Sequence, residues 1–219
     1  MVDEKIIDLE LNESDAAVSV ARTISSLIPI AGSFLAEVFT VLIPNQQKER
    51  VVETLKLIVD KVQDLEERIK DPEQLDLFQD AIIQATRALS PERRQYISNI
   101  LKNSLSIEEQ SHDQKKKLFI ILNSLNDTEI IILKYYSYVA NSPEANDFRN
   151  NHRNILRHFR ELETEDDSET NRETFYESYN KNFERLGLIL EEATRFTGMR
   201  SRELTQLGKL LLKYIEVPD

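Results

Sequence analysis

Four arginines, Arg149, Arg153, Arg157 and Arg160, follow one another at spacings of four, four and three. On a helix these spacings bring them close to one face. Guanidinium groups arrayed this way can hold phosphates or the carboxylates of an acidic partner through paired N–H donors. A solvated or internally paired face is the competing reading, because the acidic run ELETEDDSET follows at once. A second basic group, Arg195, Arg200 and Arg202, with Lys209 and Lys213 beyond it, suits contact with nucleic-acid phosphates. A third candidate is apolar. Phe34, Val38, Phe39 and Leu42 surround the single charge of Glu37, which suits either a core helix or a conditionally membrane-active segment. A bilayer span needs about 20 apolar residues, and Pro29 and Gly32 interrupt the run over residues 24–43, so a permanent span is not expected.

Catalytic chemistry finds little to work with. The histidines are His112, His152 and His158. The last two are six residues apart, which is wrong for a metal pair one helical turn apart, and His152 falls on an apolar seam that suits a satisfied core histidine. There is no glycine-rich phosphate loop, no GxSxG elbow and no HExxH helix. Adjacent acids such as Asp166 and Asp167 lie in a stretch expected to be a loop. The absence of cysteine excludes disulfides, thiolate nucleophiles and zinc sites of the Cys type. The expectation is a protein that is not an enzyme, with no cofactor and no metal.

The elements that must carry these residues are helical. Only 4 Gly and 6 Pro occur in 219 residues, and nearly every proline stands where a helix would begin. Apolar spacing predicts a first helix from Ser14 through Ala17, Val20, Ala21, Ile24 and Ile28, broken at Pro29. Val51, Leu55, Ile58, Val62, Leu65 and Ile69 form a heptad-like seam, which packs either within the chain or against a second copy as a homo-oligomer. Asp71-Pro72 with Gln74, and Ser90-Pro91, read as helix starts. The first leads into an inner face of Leu75, Phe78, Ile82, Ala85 and Leu89. Ser106 with Glu109 and Asn126 with Glu129 offer two more caps. Ser142-Pro143 opens a helix with Phe148, His152, Ile155, Phe159 and Leu162 along one side. Phe175, Tyr179, Phe183 and Leu186 predict another, closed by Gly187 in a left-handed cap. After it come a strand, a turn at Thr197-Gly198, a second strand and a final helix capped by Thr205. Such a helix–ribbon–helix order is the outline of a winged helix.

The formal charge of −11 repels nucleic acid and anionic membranes overall, so nucleic acid is not the expected partner without a local basic patch, and membrane binding is conditional. The opening MVDEKIIDLELNESD is acidic and has no apolar core, so it does not read as a signal peptide, and a cytoplasmic location is expected.

The tail NFERLGLILEE and RELTQLGKLLLKYI resembles the end of bacterial proteins of the abortive-infection alpha type. The blocks ALSPERRQYISNILKNSL and ILNSLNDTEIIILKYY, and the front IPIAGSFLAEVFTVLIPNQQKERV, are similar to helical stretches of the same group of bacterial and prophage proteins. The resemblance implies a setting in phage defence and no site residues.

The fold class expected is all-α. A multi-helix bundle over residues 1–163 comprises an apolar helical hairpin (14–70) and a helical core (71–163). An acidic linker (164–170) leads to a winged-helix-like C-terminal unit (171–219). The expected function is a non-enzymatic bacterial defence or stress-response protein acting through protein–protein contacts. The alternatives are a membrane-perturbing effector and a winged-helix DNA-binding regulator.

Overall fold

The computed structural model describes residues 31–38, 45–62, 64–106, 110–139, 141–156, 167–193 and 200–216. The helix expected over 14–28 lies outside them, as do Phe39, Leu42, Arg157, Arg160, Arg195, residues 164–166 of the acidic stretch and the Thr197-Gly198 turn. The described residues form α1 (Gly32–Glu37), α2 (Asn45–Lys61), α3 (Leu65–Arg68), α4 (Pro72–Arg87), α5 (Pro91–Ser106), α6 (His112–Asn123), α7 (Asp127–Tyr135), α8 (Pro143–Asn151), α9 (Arg153–Leu156) and α10 (Asp167–Arg185). An antiparallel ribbon of β1 (Ile189–Ala193) and β2 (Arg200–Leu204) follows, with Ile189 opposite Leu204 and Ala193 opposite Arg200, and then α11 (Gln206–Ile215). The fold is all-α with a small helix–ribbon–helix unit. It clusters into two compact units, residues 1–119 and 120–219.

In the first unit α2 packs against α4 and α5, which also pack on each other. The six seam residues Val51, Leu55, Ile58, Val62, Leu65 and Ile69 are all buried, none more than 6% exposed. That burial leaves the seam no apolar surface to offer a second copy. It is also not one helix: Asp64 takes a left-handed conformation (φ 54°) between α2 and α3. Lys61 ends α2 among neutral acceptors, donating to Gln95 Oε1 (2.7 Å), Ser98 Oγ (3.1 Å) and Asn99 Oδ1 (2.6 Å). Burial, then the nearby Lys102, pulls the Lys61 amine below its ordinary value.

The starts of these helices follow their caps. Asp71 accepts from the Glu73 N–H at 3.2 Å, with Pro72 at the first helical position. Gln74 does not close the expected capping box, since its Oε1 is buried with no partner. On α4 the inner face is Leu77, Phe78, Ala81, Ile82 and Ala85; Leu89 lies beyond the last turn and is exposed. Ser90 caps α5 through the Arg93 N–H (3.1 Å). The next helix does not start at Ser106, which is the last residue of α5. Ser111 and Gln114 cap it reciprocally instead, at 3.4 and 3.0 Å.

The second unit opens with the expected box at α7. Asn126 Oδ1 accepts from the Glu129 N–H and Glu129 Oε2 from the Asn126 N–H, both at 2.8 Å. Glu129 is 5% exposed, and its other oxygen accepts from Asn182 Nδ2 of α10 at 2.8 Å. This bond ties α7 to α10 within the second unit. Part of the expected acidic linker is helical, because α10 begins at Asp167. Acidic residues suit the positive end of a helix dipole.

The ribbon is held at both ends. Gly187 (φ +72°) reverses the chain after α10, with its N–H on the Glu184 carbonyl (2.9 Å) and the Leu188 N–H on the Phe183 carbonyl (2.8 Å). Thr205 caps α11 by accepting the Gly208 N–H (3.0 Å), while its own N–H donates to the Leu188 carbonyl (3.0 Å). Phe183, Leu188, Ile189, Leu211, Tyr214 and Ile215 make the core of this part.

Candidate functional site

The turn from α7 to α8 gathers aromatic rings at the surface. Ser142 caps α8 through the Ala145 N–H (3.1 Å), and Pro143 sits in the first turn, which sets Phe148 against the end of α7. The rings of Tyr138 and Phe148 are 5.0 Å apart at 36°, and those of Phe148 and His152 are 4.3 Å apart at 33°, so three rings form a tilted ladder. Tyr138 is 36% exposed and its neighbour Val139 78%. Burial, then the charge of Glu216, raises the Tyr138 phenol above its ordinary value, so it stays protonated at neutral pH.

The arginine stripe is only partly assembled here. Arg149 is half-buried, donates to Asn146 Oδ1 one turn back and lies over the Tyr135 ring at 5.7 Å, a cation–π contact. Arg153 is exposed but opens α9, beyond a break at His152 (φ −114°, ψ 33°). At that break the Phe148 carbonyl accepts the His152 N–H (3.1 Å) and meets His152 Nδ1 at 2.9 Å. Arg149 and Arg153 therefore do not share one continuous helical face, and Arg157 and Arg160 lie outside the described residues. His152 is half-buried, its ring against Phe148. Phe148 and His152 were read from spacing as one side of a helix, but Tyr135 and Tyr138 were not, because the ladder forms across a turn and no single helix period contains it.

A second cluster joins α4 to α6. Asp76 and Asp80 are one turn apart on α4, and His112 and Lys116 one turn apart on α6. Asp76 Oδ2 accepts from His112 Nε2 at 2.9 Å and from the Lys116 ammonium, which also lies 3.6 Å from Asp80. A catalytic Asp–His pair needs the second ring nitrogen facing substrate. Here Nδ1 of His112 is buried with no partner, so the pair works as a clamp. These matched i, i+4 pairs were the signal in the sequence that would have located it. The Lys116 hydrogen bond, and after it that from His112, holds the Asp76 carboxyl below its ordinary 3.8 against the opposing effect of burial. A depressed carboxylate contributes stability above its unfolded value and loses it as pH falls through the folded one. Urea melts at pH 7 and pH 3 should therefore show a larger acid loss for the wild type than for Asp76→Asn. The difference should stay below about 1 kcal/mol, because the side chains are partly solvated. Equal losses would remove the clamp.

Arg202 is half-buried on β2, with Nη2 3.5 Å from Glu191 Oε1 on β1. Tyr136 donates to Asn180 Oδ1 (2.8 Å), and Asn180 is 6% exposed. Burial raises the Tyr136 phenol, and the nearby charge of Arg202 opposes that shift. Arg202 thus serves the interior of its own unit. Arg200 stands at the start of β2. In the apolar run Leu35 and Val38 are buried, Phe34 is half-buried and Glu37 is exposed, the pattern of a core helix. Among the described residues no helix is long and apolar enough to cross a membrane, and no group of acids and histidines could hold a metal ion.

No protein-family model, curated protein or solved structure matches this chain, so the likeness to the abortive-infection alpha type rests on the residues quoted for it.

Proposed function

We propose that this is a non-enzymatic bacterial defence or stress-response protein that works by protein–protein contact through Tyr135, Tyr138, Val139, Phe148, Arg149 and Arg153. The observation that carries the reading is the ring ladder ending at exposed Tyr138 and Val139, with a guanidinium stacked beside it. Aromatic and arginine side chains dominate the energetics of protein interfaces, and rings already held in place lose little freedom on binding. Asp76 is taken up by His112 and Lys116, and Arg202 lies against Glu191, contacts that suit a scaffold better than a reaction centre. The defence setting comes from the resemblance alone.

The test is phage plating on bacteria carrying the chain or an empty vector. Wild type should lower the plating of at least one phage in a broad panel. The double variant Tyr138→Ala, Val139→Asp should restore plating while its melting curve stays unchanged. Equal plating of wild type and vector on every phage would overturn the defence setting. Full protection by the folded double variant would overturn the surface.

A further inference from the structure

Leu89, in the turn between α4 and α5, is 76% exposed. This exposure is not slackness. Arg94, itself 9% exposed, donates through Nη1 to the carbonyls of Ala88 (3.1 Å) and Leu89 (3.2 Å), and its Nη2 lies 2.7 Å from Glu53. Arg50 of α2 reaches the Thr86 carbonyl at 3.3 Å, and Ser90 caps the helix that follows. Both ends of the turn are thus tied to the helices beneath, and the leucine side chain alone faces water. With the backbone fixed in this way, only the leucine rotamer is left to order when it docks.

The surroundings state the chemistry of what would cover it. Arg87, two residues before, is exposed, and among the described residues no carboxylate pairs with it. Ile83 stands one turn before Arg87 on the same face and is 44% exposed. Glu53 neutralises Arg94, which leaves Arg87 as a solvent-facing cation at the end of α4 within a chain of formal charge −11. A convex apolar tip beside an unneutralised guanidinium complements a concave apolar site edged with carboxylates.

We propose that Leu89, with Ile83 and Arg87, is a docking knob for a partner protein that offers an apolar pocket rimmed by carboxylates. The knob rests on different residues from the aromatic surface and stands whether or not that surface is used. The experiment places a photo-crosslinking phenylalanine analogue at position 89 of the full chain in a bacterial host, with position 73 on the same helix as control. The adduct is mapped by mass spectrometry, and the protein it identifies is purified and titrated. The expected result is an adduct specific to position 89, mapping to an apolar site with neighbouring carboxylates. Affinity should fall about tenfold or more for Leu89→Asp, and less for Arg87→Glu. Binding of wild type should weaken with added salt, and that dependence should shrink in Arg87→Glu. Both positions are exposed, so melting curves should be unchanged and loss of binding can be read directly. An absence of adduct above the control would overturn the proposal. So would an adduct formed only with a second copy of this chain, or a captured protein that binds Leu89→Asp as tightly as wild type.

Discussion

Replacing Gly208 with alanine is expected to destabilise the C-terminal unit by about 3 kcal/mol or more. A Cβ at this position would meet the Leu188 carbonyl oxygen well inside the 3.0 Å that such atoms essentially never breach, with Leu204 Cδ2 at 3.1 Å. The obstacle is backbone and cannot swing aside. Moving it would also disturb the Thr205 N–H, which donates to the same carbonyl, and the cap that Thr205 makes to Gly208. The close approach of α11 to the chain leaving α10 is what lets Leu211, Tyr214 and Ile215 bury themselves. Denaturant melts followed by hydrogen exchange over residues 183–215 would check this. An unchanged midpoint for Gly208→Ala would mean that α11 does not sit so close to Leu188.

The second large effect is expected at Arg94. Arg94→Met should cost about 2–4 kcal/mol, because it strips the donors from two carbonyls at a helix end and leaves them poorly solvated. Glu53 is the revealing comparison. Its side chain is 55% exposed, so Glu53→Gln leaves a partner that water can replace and should cost less than about 1 kcal/mol. The inequality between the two variants is the prediction, and denaturation midpoints measure it. If both cost the same, the ion pair rather than the carbonyl clamp holds the turn. In that case the fixed posture of Leu89 would lose its cause.

The helical architecture was legible because it depends on local chemistry. Asp71, Ser90, Asn126, Ser142 and Thr205 cap the helices that follow them, since a cap satisfies backbone N–H groups within three residues and needs nothing from the rest of the chain. Gly187 could be read for the same reason. The seam from Val51 to Ile69 could be recognised as apolar, but spacing does not reveal what lies opposite it, and α4 and α5 provide that. The failures share this cause. Leu89 continued the period of α4, yet the helix stops at Arg87 and the next cap turns the leucine outward. The arginine stripe assumed one unbroken helix, which ends where His152 folds against the Phe148 carbonyl. Spacing likewise did not show that the ribbon sets Arg202 beside Glu191. Residue types and their local periods determine helices, caps and turns, because those interactions close within a few residues. Which apolar face is covered, which charge is neutralised and which ring meets another are long-range matters, settled when segments distant along the chain pack together.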